Sequence, residues 1–209
     1  MSARKLEKYL SRQFEEHVLH DNVEREQKYR AAKIDAIRKR LLRLGAETHA
    51  SGFERNELFD FEGRLRSQGR KLRLRRHGTR LAMLTLKGPR LGGRQKTRME
   101  VETPVNYDAA KRILELVGFR IKETYSKIRE EYRLDGCAVC LDHIPNAGWF
   151  VEIEGAPAKI RGIAQRLRLQ PADREHRSYR KLIRESAAMS VPAVDGSDAR
   201  LAYEIIDRG

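Results

Sequence analysis

The sequence predicts an α+β domain in which an eight-stranded antiparallel β-barrel is flanked by helices. Three observations support this prediction: polar and apolar residues alternate over about eight segments, turn residues separate these segments, and helical apolar patterns stand between or after them. A meander of about eight strands can close into a barrel whose interior holds side chains or one small ligand. We divide the 209 residues into an N-terminal helix (1–21), a barrel domain (22–188) and a C-terminal tail (189–209).

The N-terminal segment carries one narrow apolar stripe. Leu6, Leu10, Phe14 and Val18 recur at every fourth position, a spacing that predicts an amphipathic helix. We expect this helix to dock on the domain or on a second subunit, so a homodimer is one expected arrangement.

The first strand of the barrel domain is predicted over residues 22–30. Side chains alternate sides along a strand, so Glu24, Glu26 and Lys28 share one face. A helical apolar pattern starts at Ile34 and ends at Gly45, a residue that tolerates the left-handed conformation of a C-cap.

Residues 48–103 are predicted to be mostly strands, and a mixture of helices and strands follows them. The predicted strands are 50–60, 70–77, 80–87, 96–103, 119–134, 137–143 and 149–155, with turns at 77–79 and 88–93. The predicted helices are 108–117, closing at Gly118, then 157–169 and 174–188.

Ionisable residues of both signs recur with a period of two on nearly every predicted strand. The cations in this phase are Lys28, Arg73, Arg75, Lys87, Arg98, Lys127 and Arg129. The carboxylates in this phase are Glu24, Glu26, Glu100, Glu102, Asp142, Glu152 and Glu154. If these faces point inward, the barrel encloses a charged tunnel. An ordinary antiparallel sheet with one solvated side is the alternative explanation of the alternation.

A lumen of this composition suits a phosphate-rich ligand and a divalent cation. Arginine guanidinium groups match phosphate oxygens and lysines supply compact charges. Glu24 and Glu26 lie about 6.6 Å apart along a strand, as do Glu152 and Glu154, so glutamates from two strands can converge on one or two ions. Magnesium prefers carboxylates together with substrate phosphate oxygens, and we expect Mg²⁺ or Mn²⁺ as the cofactor.

The formal net charge of +14 predicts attraction to polyanions without selecting one. The sequence contains no run of 18 apolar residues, and its first 20 residues are interspersed with charges. We therefore expect a cytoplasmic protein that does not enter a membrane. Its two cysteines, Cys137 and Cys140, lack a second pair to complete a zinc site and are expected to be buried, reduced thiols.

A nonenzymatic polyphosphate- or RNA-binding module is the rival from another class. The basic excess and the arginines outside the tunnel phase favour it; these are Arg64, Arg66, Arg70, Arg76 and Arg80. A simple polyanion binder gains nothing from glutamates that face its ligand, whereas a metal-assisted enzyme needs them. Nucleic acid is therefore not the expected partner.

Three further features are predicted to be structural. Residues 88–93 approximate the glycine spacing of a P-loop, but Arg94 and Gln95 replace the required Lys-Ser/Thr pair, which indicates a hairpin loop. His143 is a lone histidine on a strand, and Trp149 is expected to serve packing.

With this pattern in place, the chain resembles the CYTH proteins, or triphosphate tunnel metalloenzymes, which include class IV adenylate cyclases and thiamine-triphosphatase-like enzymes. The ExExK motif of that family is present as Glu24, Glu26 and Lys28. Further matches are Lys71-Leu-Arg-Leu-Arg75, Leu84-Thr-Leu-Lys-Gly88, Arg98-Met-Glu-Val-Glu102, Lys127-Ile-Arg129, Cys140-Leu-Asp142, Gly148-Trp-Phe-Val-Glu-Ile-Glu154, and Ser178-Tyr179 with Leu182.

The resemblance covers roughly residues 22–185. It implies an eight-stranded antiparallel tunnel, a triphosphate-containing small-molecule substrate held by the lumenal bases, and divalent metal held by the lumenal acids. The residues it implies in catalysis are Glu24, Glu26, Lys87, Glu152 and Glu154.

The resemblance leaves two reactions open, hydrolysis of a terminal phosphate and cyclisation of ATP to cyclic AMP. Class IV cyclases carry His-Phe shortly before the first glutamate, where this chain has Val18 and Leu19. We therefore expect a metal-dependent triphosphatase. The segments 127–132 and 140–154 are similar to cyclases and keep that alternative, while Asn56 and Leu58 depart from the family pattern.

Overall fold

A closed eight-stranded antiparallel barrel forms the centre of the protein. The computed structural model describes residues 23–78, 81–91 and 96–189. The strands are β1 (Val23–Arg30), β2 (Glu47–Asp60), β3 (Lys71–His77), β4 (Leu81–Leu91), β5 (Lys96–Val105), β6 (Arg120–Leu134), β7 (Cys137–Ile144) and β8 (Gly148–Glu154). The helices are α1 (Ile34–Arg43), α2 (Arg64–Ser67), α3 (Tyr107–Leu116), α4 (Pro157–Arg166), α5 (Tyr179–Met189) and a 3₁₀ turn at Pro171–Asp173.

The order of strands around the barrel is β1-β5-β4-β3-β2-β6-β7-β8, and β8 closes on β1. Every neighbouring pair is antiparallel. The predicted fold class is therefore confirmed, and closure removes the exposed sheet edges that an open meander would leave.

Two helical layers cover separate parts of the outer wall. The largest apolar core lies between α1, α4 and the outward faces of β1, β6, β7 and β8, where Leu41, Val139 and Ile160 have no exposed surface. A smaller core lies under α3 and includes Leu74 and Leu114. Outward side chains of the strands are thus apolar, which leaves the inward phase to the polar residues.

The two helix ends predicted at glycines are confirmed. Gly45 follows the end of α1 with φ 79°, and Gly118 follows α3 with φ 95°. A Cβ at Gly118 would lie 2.7 Å from the Phe61 ring, so a side chain is excluded there by space as well as by φ.

The last helix starts later than predicted. The prediction began it at residue 174, whereas α5 begins at Tyr179. The backbone of Arg174 forms a β-bridge to Tyr29, and the Glu175 N–H donates to the Lys28 carbonyl at 2.9 Å. These bonds hold the preceding segment extended along β1, so the helix cannot form until the chain has left the strand. The short helix α2 was also not predicted, because residues 48–103 were interpreted as mostly strands.

The remaining predictions concern the cysteines, membrane-spanning helices and the two ends of the chain. Both cysteines are buried and unbridged, as predicted. None of the helices within the described ranges has the length and apolar character needed to cross a bilayer. The predicted N-terminal helix (1–21) and nearly all of the predicted tail (189–209) lie outside the described residues. The turn predicted at 88–93 is wrong over residues 88–91, which belong to β4, and residues 92–93 lie outside the described part of the chain.

Candidate functional site

The predicted ionisable side chains occupy the inward phase of the barrel wall. Residues directly opposite each other on neighbouring strands point to the same side, and the register links these positions from strand to strand. The opposed pairs are Glu24 with Arg98, Glu26 with Glu154, Lys28 with Glu152, Lys87 with Glu100, and Arg129 with Asp142. Side chains on non-adjacent strands also meet, as Lys87 on β4 does with Glu24 on β1. The predicted tunnel is therefore lined by these groups.

Four glutamates form an acidic cluster, comprising Glu24, Glu26, Glu100 and Glu154. The Lys87 ammonium lies between two of them, with Nζ 2.7 Å from Glu24 Oε1 and 2.7 Å from Glu100 Oε2. Burial raises the pKa of Glu24, and the adjacent Glu100 carboxyl adds to the rise while Lys87 opposes it. Glu24 and Glu100 therefore share one ammonium, an arrangement that favours a further proton or cation.

Glu154 belongs to the same acidic cluster and is the last residue of β8. Crowding by protein atoms, followed by the charges of Glu24 and Glu100, raises the pKa of Glu154 to about 8. Its side chain nevertheless keeps access to solvent. Water therefore screens part of the repulsion between Glu154 and the neighbouring carboxylates.

A second group, the compensated cluster, comprises Lys28, Lys127, Arg129, Asp142 and Glu152. Arg129 donates to Asp142 Oδ1 at 2.7 Å and Oδ2 at 2.6 Å, and it reaches Glu152 Oε2 at 2.7 Å. Lys127 Nζ lies 3.2 Å from Asp142 Oδ2, and Lys28 Nζ lies 3.1 Å from Glu152 Oε1. Here every carboxylate has close cationic partners, as buried charges require.

A third set of contacts joins the two clusters across β3, β4 and β5. Glu102 accepts from Arg75 at 2.8 Å, contacts Arg73 at 3.4 Å and accepts a short hydrogen bond from the Thr85 hydroxyl. Although burial opposes it, the charges of Arg75 and Arg73 lower the pKa of Glu102 to about 2. Arg73 Nε is buried and has no hydrogen-bond acceptor among the described residues. An anion in the lumen would satisfy it.

Two further cations, Arg98 and Lys71, lie beside the acidic cluster. Arg98 is 7% exposed and faces Arg90 across the β4–β5 ladder. Burial, together with the charges of Arg98, Arg180 and Arg90, lowers the pKa of Lys71 to about 8. Cationic and anionic side chains thus lie next to each other in one lumen.

The C-terminal helix closes the lumen where the β7–β8 hairpin turns. Tyr179 and Leu182 of α5 pack against Ile144 and Phe150. The Tyr179 hydroxyl donates to Asp142 Oδ2 at 2.7 Å, and Lys28 Nζ lies 3.5 Å from the ring centroid. The first turn of α5 therefore orients a lysine and a carboxylate of the compensated cluster.

The lumenal residues that were absent from the predicted site include Glu54, Asn56, Lys71 and Thr85. Glu54 is 1% exposed, lies 3.5 Å from Lys127 and 3.7 Å from Arg75, and accepts from Asn56 at 2.9 Å. Burial opposes ionisation of Glu54, but Lys127, Arg75 and Arg129 outweigh it and hold its pKa well below the ordinary range. The signal that was available is the alternation of Glu54 and Asn56 with outward residues on β2.

The side chains predicted to be structural lie away from this lumen. His143 stacks against Trp149 with ring centroids 4.9 Å apart, and Trp149 packs on the largest core. The packing prediction for Trp149 is confirmed.

The acidic cluster fits a hard divalent cation in its chemistry. Its donors are all carboxylate oxygens. Burial first, and then the charges of neighbouring carboxylates, raise the pKa values of Glu24 and Glu154, and a cation would relieve that repulsion. Among the described residues, no three or more His, Cys, Asp or Glu side chains are already gathered at coordinating distances. The Lys87 ammonium instead bridges Glu24 and Glu100.

The sequence comparison identifies the family. A family model described as the CYTH domain matches residues 22–179. The chain belongs to the CYTH family. None of the curated proteins is significantly similar to it.

Solved structures share the CYTH barrel. A candidate adenylate cyclase from Vibrio parahaemolyticus has 25% identity and a TM-score of 0.70, covering 79% of this chain and 99% of that chain. The PH1012 protein from Pyrococcus horikoshii has 26% identity and a TM-score of 0.65, with coverage of 76% and 98% respectively. A candidate adenylyl cyclase from Hippeastrum, described as having a dominant triphosphatase activity, has 16% identity and a TM-score of 0.58, with coverage of 78% and 95%. At 16% identity, the similarity to the Hippeastrum protein shows a shared fold and nothing more.

Proposed function

We propose that this protein is a divalent-metal-dependent triphosphatase that hydrolyses the terminal phosphate of inorganic tripolyphosphate or of an organic triphosphate. The observation that carries the proposal is the separation of charge within one lumen. Glu24 and Glu154 of the acidic cluster have raised pKa values, and the cluster lies next to a wall of buried guanidinium and ammonium groups. Phosphoryl transfer requires both a metal and cations that stabilise charge on phosphate oxygens.

The basic side chains would bind the triphosphate. Arg73 and Arg75 hold planar guanidinium groups in the lumen, and Arg73 Nε lacks an acceptor within the described chain. Planar guanidinium groups bind phosphate oxygens bidentately. The proposed phosphate-binding side chains are Lys28, Arg73, Arg75, Lys87, Arg98, Lys127 and Arg129.

Glu24, Glu26, Glu100 and Glu154 would hold Mg²⁺ or Mn²⁺. When bound, the metal would supply Lewis-acid polarisation of phosphate oxygens and a bound water of lowered pKa. Glu102, Asp142 and Glu152 were predicted as metal ligands too, but each already accepts hydrogen bonds or ion pairs from arginine. We therefore assign these three carboxylates the task of positioning the phosphate-binding arginines.

A class IV adenylate cyclase is the second candidate. The 25% identical Vibrio protein, named as a candidate adenylate cyclase, favours it. A cyclase would use the same phosphate-binding side chains and acidic cluster, but the ribose 3′-hydroxyl would attack the α-phosphorus and release pyrophosphate. The His-Phe pair expected of such cyclases is replaced by Val18 and Leu19, which favours hydrolysis.

The decisive experiment compares tripolyphosphate, thiamine triphosphate and ATP in the presence of Mg²⁺ or Mn²⁺. Orthophosphate, pyrophosphate and cyclic AMP are measured separately. Orthophosphate release that stops when the metal is chelated supports the proposal. Cyclic AMP with pyrophosphate would establish the cyclase instead, and tight binding of all three compounds without turnover would indicate a nonenzymatic polyanion binder.

A matched pair of variants tests the phosphate-binding role. Arg75 and Arg76 are neighbours on β3, but Arg75 contacts Glu102 in the lumen while Arg76 is exposed and lies over the Tyr107 ring. Arg75→Gln should lower kcat/KM by at least about tenfold, the loss expected from one charge-assisted contact. Arg76→Gln should leave kcat/KM unchanged. Equal effects of the two substitutions would contradict a lumenal substrate.

A further inference from the structure

The outer face of β5 and its neighbours carries exposed apolar side chains. Leu91, Met99 and Val101 are 52%, 45% and 47% exposed. Gly88 lies beside Met99 and has no side chain to cover it. A Cβ at this glycine would lie 3.3 Å from Met99 Cβ. Val101 is opposite the partly buried Leu86 in the β4–β5 ladder. We call Leu91, Met99 and Val101 the β5 face.

This face differs from the rest of the outer wall. The α1 and α4 helices bury the outward residues of β1, β6, β7 and β8, and α3 buries those of β2, β3 and the first part of β4. Apolar strand residues at this density are elsewhere covered by an amphipathic helix in the same barrel. Clustered apolar side chains on a protein surface mark a contact site more often than isolated ones do.

The chain itself supplies a suitable occupant next to this face. The described structure begins at Val23, which is directly opposite Met99 in the β1–β5 ladder. The segment 1–22 therefore joins the barrel at the edge of the β5 face. Its apolar residues are Leu6, Leu10, Phe14 and Val18, one at every fourth position.

The dimensions of this segment match those of the face. Residues four apart on a helix lie about 6 Å apart along its axis, and residues two apart on a strand lie about 6.6 Å apart. The stripe from residue 6 to residue 18 would extend about 18 Å. The outward positions of β5 from residue 97 to residue 103 extend about 20 Å. The four residues 19–22 leave room for a reversal between helix and strand.

The segment is also an addition to the domain shared with relatives. The family match begins at residue 22, and the Vibrio protein aligns over 99% of its own length while covering 79% of this chain. A contact between residues 1–22 and the barrel would therefore be a property of this chain beyond the shared domain.

We propose that residues 1–22 fold back as an amphipathic helix and dock on the β5 face of the same molecule, with Leu6, Leu10, Phe14 and Val18 against Leu91, Met99 and Val101. Because strand side chains alternate, the inward neighbours of Val101 are Glu100 and Glu102. The docked helix would cover the outward face of β5, whose inward face carries these two carboxylates. It would thereby protect the backbone hydrogen bonds of β5 from local opening. The inference does not depend on which reaction the lumen performs.

Hydrogen exchange of the full-length protein tests the docking. Amides of residues 6–18 should be protected in the native protein, and the double substitution Met99→Lys, Val101→Lys should speed their exchange at least tenfold. Leu116→Lys is the matched control, because Leu116 is 67% exposed on α3 and should leave exchange of residues 6–18 unchanged. Absence of protection in the native protein, or equal acceleration by the control, would overturn the proposal.

A disulfide trap distinguishes docking within one molecule from exchange between two. The pair Leu10→Cys and Val101→Cys should oxidise to an intrachain bond and remain monomeric on size-exclusion chromatography with light scattering. The native Cys137 and Cys140 are buried and do not interfere. The pair Leu10→Cys and Leu116→Cys should not oxidise under the same conditions. A covalent dimer, or no bond in the first pair, would show that another molecule or nothing covers the face.

Discussion

The acidic cluster and the compensated cluster lie in one lumen but balance charge in opposite ways. Asp142 has no exposed surface and is surrounded by Arg129, Lys127 and Tyr179. Glu24 shares the Lys87 ammonium with Glu100, and the pKa of Glu24 remains raised. The first arrangement is complete without a ligand, whereas the second is eased by added positive charge. The difference separates carboxylates whose charge is already paired from carboxylates that the proposed metal would pair.

The largest effect is expected from removing the central carboxylate of the compensated cluster. Asp142→Ala leaves the buried Arg129 and Lys127 without their main partner, which should lower the free energy of unfolding by about 3–5 kcal/mol. Urea unfolding monitored by circular dichroism measures this loss. The exposed Asp173 provides the control, and Asp173→Ala should change stability by less than about 0.5 kcal/mol. A loss below 1 kcal/mol for Asp142→Ala would remove the distinction between the clusters.

The next largest effect is a loss of turnover that leaves the stability of the protein unchanged. Glu24→Gln keeps the shape of the side chain but removes its charge, so metal-dependent turnover should fall at least about 100-fold, equivalent to roughly 2.7 kcal/mol. Stability of the metal-free protein should not fall, because the substitution also removes repulsion with Glu100. Glu47→Gln, at an exposed position on β2, should retain full turnover. If Glu24→Gln instead unfolds the protein, the acidic cluster is structural.

A smaller effect is expected at the contact between α5 and the lumen. Tyr179→Phe removes the hydroxyl bond to Asp142 but keeps the ring beneath Lys28. Loss of one hydrogen bond to a charged group should cost about 1.5–3 kcal/mol, and the remaining partners of Asp142 should hold the loss near the lower value. Thermal unfolding of this variant is compared with that of Tyr132→Phe. The Tyr132 hydroxyl bonds Glu130, which Arg38 also holds, so its loss should matter less.

The smallest effect is a difference in pH dependence between Glu154 and Glu102. The pKa of Glu154 is raised to about 8, so the folded metal-free protein binds this proton more tightly than the unfolded chain, and stability falls as pH rises from about 4.5 to 8. The pKa of Glu102 is lowered to about 2, so its stabilisation is present above about pH 4.5 and is lost as pH falls toward 2.

Two glutamine variants separate these contributions in metal-free urea titrations. Relative to the native protein, Glu154→Gln should become progressively more stable between pH 5 and pH 8. Glu102→Gln should be less stable than the native protein above pH 5 and approach it in acid. Solvent access at Glu154 keeps the first effect small. Parallel profiles for the two variants would contradict the opposite pKa directions.

The sequence predicted the barrel and most of its lining because both depend on local periodicity. Alternation placed Glu24 and Lys28 on one face of a strand and Arg73 in the same phase on another, and the resemblance to the CYTH proteins implied that these faces line a closed tunnel. Glu54 was not assigned to the site because exposed residues flank it early in β2, and its burial arises only where β3 and β6 meet that strand. The Tyr179 contact with Asp142 joins residues 37 positions apart, so no local pattern could predict it.

The division of the carboxylates also required the three-dimensional arrangement. In sequence, the Glu100/Glu102 and Glu152/Glu154 pairs each look equivalent. In the structure, Glu102 and Glu152 accept short hydrogen bonds from arginines, whereas Glu100 lies 2.7 Å from Lys87 and 3.7 Å from Arg73. Glu154 lies at the end of β8. Which neighbour each side chain reaches depends on barrel closure and strand stagger. The metal, catalytic and phosphate-binding assignments, the homodimer and the cytoplasmic location stay predictions.

The bridging position of Lys87 has a consequence for how the protein matures. An ammonium placed between Glu24 and Glu100 serves as an internal counterion, so these two carboxylates do not need an inorganic ion for the barrel to fold. Small zinc domains behave differently, because they collapse when their ion is withdrawn. Under the proposed metal-dependent activity, chelators should abolish turnover without unfolding the barrel, and returning the ion should restore turnover.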